Sequence, residues 1–175
     1  MKELLLVLLA AAPAMLAQGS VKDALVRHWK TAGEFTLAVA QAMPADQYNF
    51  RPNPEEMTFG QLMVHIGAAN YSVCAIASGT KRPDEPAKVA AWRKDNKLDI
   101  DKDTAVEYLT TTFGFCSQAI GSMTPEKLDA VVGPANRQMT GFEWLWSYFT
   151  HTAHHRGQAE VYLRIKGIKP PDYVF

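Results

Sequence analysis

From Val21 onward the apolar positions fall at three- and four-residue steps, at Leu25, Trp29, Ala32, Phe35/Thr36 and Val39, as one buried face of a helix requires. Pro44 closes that helix. A second helix is predicted over MTFGQLMVHIGAANYSVCAIASG, opened by a capping box between Thr58 and Gln61 and closed by Gly79, the residue type favoured just past a helix end. Asp101 or Asp103 caps a third, with Ala105, Tyr108, Leu109, Thr112/Phe113, Cys116 and Ile120 on one side, and it stops by Thr124-Pro125. A fourth begins at TGFEW, where Thr140 and Glu143 form another capping box, and runs to Gly167 with Pro170-Pro171 beyond it. Strand patterns are almost absent.

The connection from Thr80 to Ile100 is rich in proline and charge and far longer than a tight turn needs. Helix two, at a rise of about 1.5 Å per residue, is roughly 30 Å long, and an extended segment of about 21 residues covers that distance with slack. Helix three can therefore run parallel to helix two. The expected architecture is an all-α four-helix bundle, up-down-down-up, with a long crossover between helices two and three; a plain up-down-up-down bundle is the alternative.

The 175 residues fit one domain, and 18 basic against 18 acidic side chains leave no net field to gather polyanions or to draw the chain onto an anionic membrane. Nucleic acid is not an expected partner. Lys81-Arg82 and Arg93-Lys94 are interrupted by acids and prolines and read as solvated loop charge. At the N-terminus, MKELLLVLLAAAPAMLAQGS sets one lysine before an apolar run and small residues after it, the layout of a secretory signal peptide. The run is too short to span a bilayer. Residues 1–19 are therefore read as a leader and 20–175 as the bundle domain. The mature chain is expected to be exported, periplasmic or secreted, with no membrane span. Cys74 and Cys116 lie on separate helices; an oxidising compartment permits a bridge between them, and two buried core thiols are the other reading.

The chemistry is concentrated in histidine. Three of the five histidines stand between His151 and His155, at the centre of a stripe on helix four formed by Trp144, Ser147/Tyr148, His151, His155, Gln158 and Tyr162. His151 and His155 are one turn apart on one face, so their imidazoles can converge on one ion. His65, flanked by Val64 and Ile66 on helix two, is the candidate for a third nitrogen ligand, because an unpartnered imidazole is costly to bury there. Bland readings stand beside this one: His65 as a hydrogen-bonded core residue, the helix-four pair as surface decoration, and His154 in place of His155 at the i,i+3 spacing. Gln158 reads as a hydrogen-bond partner that orients an imidazole. Arg156 and Arg164 read as surface or helix-end partners of acids.

HTAHHRGQAEVYLRIKGIKPPDY resembles the C-terminal signature of the DinB family, grouped with the bacterial thiol S-transferase superfamily, and RPNPEEMTFGQLMVHIGAANY resembles that family's second-helix motif. The likeness extends over nearly all of residues 20–175. It implies the crossover topology and a divalent metal ion, zinc or nickel, on one histidine from helix two and two from helix four, which fall here on His65, His151 and His155. The function that follows is that of an exported metal-dependent transferase or hydrolase acting on a small molecule, with a non-catalytic metal-binding or stress-associated module as the alternative. A small-molecule substrate or ligand is the implied partner, and a homodimer is compatible with it.

Overall fold

The computed structural model describes residues 20–174, so the leader expected over 1–19 lies outside them. Four long helices carry the fold: α1 (Val21–Ala42), α2 (Phe59–Ser78), α4 (Lys102–Gly121) and α6 (Gly141–Ile165). Between them lie a 3-10 turn (Ala45–Gln47), the short helices α3 (Ala87–Lys94) and α5 (Pro125–Asp129), and a small antiparallel hairpin pairing β1 (Val131–Val132) with β2 (Met139–Thr140). No helix among the described residues is long and apolar enough to cross a membrane.

The caps lie where local chemistry puts them. Ser20, Thr58 and Thr140 each accept from the backbone of the residue three positions on, and that residue's side chain returns the bond: Asp23, Gln61 and Glu143 respectively. Asp101, rather than Asp103, caps α4 by accepting from the Thr104 amide. At the other end of α2, Gly79 takes a left-handed conformation with φ 71°, which a side chain would disfavour.

Helix directions can be read from the residues in contact. Along α2 and α4, Gly60 meets the Ile100 carbonyl, Gly67 meets Tyr108 and Cys74 is bonded to Cys116, so these two helices run side by side in the same direction. A Cβ at Gly67 would lie 2.9 Å from the Tyr108 ring, which is why α2 is glycine there. Along α6, Tyr162 lies near Phe59 and His155 near His65, which sets α6 antiparallel to α2. Helix α1 packs against α4 in the opposite sense, with Gly33 at Phe113 and Lys102 Nζ donating to the Gln41 and Met43 carbonyls. The aromatics Trp29, Phe35, Phe59, Tyr108, Phe113 and Trp144 are buried in the shared core, each contributing roughly 1.5–3 kcal/mol.

Two findings depart from the sequence reading, and one decides between alternatives it left open. The extended crossover is interrupted by α3, a two-turn helix that buries Val89 and Trp92, while Lys88 pairs with Asp101. Of the two readings for the cysteines, the bridge is the one observed: Cys74 and Cys116 are wholly buried and joined across α2 and α4. Arg82 and Arg93 are not free loop charges. Both approach the Glu85 carboxylate, Arg93 Nε at 2.8 Å and Arg82 Nη1 at 3.8 Å, and Glu85 also accepts the Tyr108 hydroxyl at 2.6 Å.

Candidate metal centre

Helix α2 is apolar on almost every side because it packs between α4 and α6, and its half-exposed stripe runs through His65, Ala69, Ser72 and Ile76. Antiparallel packing brings His65 opposite the one-turn pair on α6. The Nε2 atoms of His65, His151 and His155 lie 3.1 Å from one another in all three pairings. His154 is exposed and lies outside the converging group, so the i,i+3 alternative is not the one the helix presents to α2.

Three imidazole nitrogens that close cannot satisfy one another. A neutral imidazole has one donor and one acceptor nitrogen, so at most one of three mutually adjacent Nε2 atoms could donate usefully, and protonating them sets like charges together. A cation on their lone pairs resolves the conflict. The centre of such a triangle lies about 1.8 Å from each corner, close to a zinc–nitrogen bond of about 2.0–2.1 Å, so the three nitrogens would suit a single divalent ion. The donor set therefore fits a divalent metal, which His65, His151 and His155 would hold through three neutral nitrogens.

Electrostatics favour the ligating form. Burial, then the neighbouring His155 and Arg93, depress His65 to about 4. His151 is likewise depressed to about 4, by burial and then by His155, His65 and His154. His155 is lowered by burial, against which its hydrogen bond to Gln158 acts. All three are thus neutral near pH 7. The Gln158 contact is the one its place in the stripe predicted: Oε1 accepts from His155 Nδ1–H at 2.7 Å, leaving Nε2 as the free lone pair.

Behind the histidines the seam is held by a buried polar pair, Thr152 donating to Asn70 Oδ1 at 3.0 Å. Beside them, the Tyr148 ring lies 5.4 Å from that of His151. Arg156 corrects the surface assignment. It is 7% exposed, donates toward the Ala32 carbonyl at 3.5 Å and sits 4.4 Å above the Phe35 ring, so it joins α6 to α1. Arg164 is a surface partner of Glu160, as expected.

The sequence profile of the DinB superfamily matches residues 28–159, a span that includes all three converging histidines. The chain belongs to the DinB superfamily. Solved structures agree at the level of fold. A DinB-like protein from Bacillus cereus ATCC 10987 superposes with a TM-score of 0.71 at 19% identity, covering 87% of this chain and 97% of that one. A DinB-like protein from Bacillus subtilis gives 0.68 at 20% identity, with 86% and 96% covered. A conserved protein from Enterococcus faecalis gives 0.64 at 15%, with 84% and 97% covered. No curated protein matches the chain in sequence.

Proposed function

We propose that this DinB superfamily member binds one divalent ion, zinc or nickel, through His65, His151 and His155, and uses it in a transferase or hydrolase reaction on a small molecule outside the cytoplasm. The observation that carries the reading is the triangle of Nε2 atoms at 3.1 Å. When bound, the ion supplies Lewis acidity to an oxygen or sulfur group, undiminished by anionic ligands because all three donors are neutral.

The chain's own residues do the rest. Gln158 fixes the tautomer and ring plane of His155, and the Thr152–Asn70 pair holds α6 in register with α2. Tyr148 packs beside His151, its ring 5.4 Å from the imidazole. Export is supported by the leader-like N-terminal composition and by the Cys74–Cys116 bridge, since disulfides persist in oxidising compartments.

The test is turnover. Zinc- and nickel-loaded protein is incubated with a small thiol plus an aromatic halide electrophile, and in parallel with activated esters, alongside the His155→Ala variant. Product formed by the wild type and lost in the variant supports catalysis. Equal rates in both, with metal bound by the wild type, contradict it and favour a binding module.

A further inference from the structure

The half-exposed stripe of α2 that carries His65 has arginines near it on the crossover side and on the α6 side. The stripe continues from His65 through the small residues Ala69 and Ser72. Arg93 Nη2 donates to the Ala68 carbonyl at 3.3 Å and Arg82 Nη1 to Ser72 Oγ at 3.2 Å, placing the two guanidinium groups about one and two helical turns beyond His65. On the α6 side, Arg137 lies over the rings of Trp144 and Tyr148 at 4.8 and 5.8 Å, and Tyr148 in turn flanks His151.

Charge counting separates a structural brace from a binding site. Glu85, with a side chain only 8% exposed, compensates one guanidinium of the pair Arg82 and Arg93, while both arginine side chains remain about a third exposed, at 35% and 34%. One positive charge is left over beside the α2 stripe, on guanidinium groups whose donors suit a planar or tetrahedral oxyanion. The surplus positive charge lies on the Ser72 side of His65 along α2.

We infer that the metal centre takes a small acidic molecule, one oxygen group facing the ion and a second oxyanion, carboxylate or phosphate, held by Arg93 and Arg82 with Arg137 opposite. This rests on the metal-centre reading above and adds the substrate's charge and its direction along α2.

The test compares two ligands of equal length on zinc-loaded protein by titration calorimetry: adipate and its monoamide, which lacks the second charge, with 5-phosphonopentanoate as the phosphate-like arm. Cobalt-substituted protein reports in its visible spectrum whether either enters the coordination sphere. Adipate or the phosphonate is expected to bind about tenfold more tightly than the monoamide, and whichever is tighter names the oxyanion. In Arg93→Gln and in Arg82→Gln the gap should close. Arg82→Gln matters because it leaves the Arg93–Glu85 tie in place if loss of Arg93 loosens the crossover. Equal affinity of all three ligands for wild-type protein overturns the inference, as does a gap that survives both substitutions. A chain that takes up no metal overturns the metal reading and this one together, whereas a metal-loaded chain indifferent to the second charge overturns this one alone.

Discussion

Thr152 donates its hydroxyl to Asn70 Oδ1 at 3.0 Å in a wholly buried position, one residue beyond His151 on α6 and five beyond His65 on α2. The bond fixes the offset between the two helices that supply the histidines. Because a buried acceptor left without its donor costs about 1–3 kcal/mol, Thr152→Val should destabilise the fold by that amount in urea denaturation. Metal affinity should fall with it, since the three nitrogens lose their shared register. An unchanged affinity in a destabilised variant would show that the triad is aligned by other contacts.

Arg156 is expected to behave as a core residue. Arg156→Ala removes both the bond to the Ala32 carbonyl and the stack on Phe35, and should lower the melting temperature by several degrees. Arg164→Ala, which loses only a surface pair with Glu160, should shift it little. Thermal melts of the two variants side by side check this.

The bridge between Cys74 and Cys116 closes a loop with a sequence separation of 42. Loop-closure entropy for that length is about 4 kcal/mol, and measured values are typically about 2–4 kcal/mol. The Cys74→Ala/Cys116→Ala double variant should lose stability in that range yet keep its far-UV helical spectrum at 25 °C. Both sulfurs are buried, so reductant should open the bridge in native protein far more slowly than in urea.

Acid should weaken the site. His65 and His151 are held down to about 4 from an ordinary 6.5. A depressed histidine makes the unfolded chain bind more protons than the folded one between those values, so the metal-free fold loses stability as pH falls from 6.5 towards 4 and the loss is complete below it. Bound metal must be released over acidic pH as well, since protons compete for the same nitrogens. Melting temperature against pH, with and without zinc, separates the two effects.

The long helices were legible in the chain because their information is local: Thr58 with Gln61, Thr140 with Glu143, and the regular spacing of apolar positions. The convergence of His65 with His151 and His155 was legible from one-turn spacing and from the cost of an imidazole in an apolar helix, and the family likeness narrowed it to those three. What was not legible depends on tertiary placement. Helix α3 offers only Val89 and Trp92 as apolar anchors over two turns, too short a pattern to stand out from a proline-rich segment. The hairpin pairs only two residues on each strand. Arg156 looks like any helix arginine until α1 is laid against it. Whether two cysteines meet depends on the relative register of α2 and α4, which no local pattern carries.

The central claim is that His65, His151 and His155 together hold one ion. Elemental analysis of untagged protein, dialysed after loading with zinc or nickel, measures this directly. One ion per chain is expected in the wild type and in His154→Ala, and none in His155→Ala. No bound ion in the wild type, or an ion lost in His154→Ala and kept in His155→Ala, would contradict it.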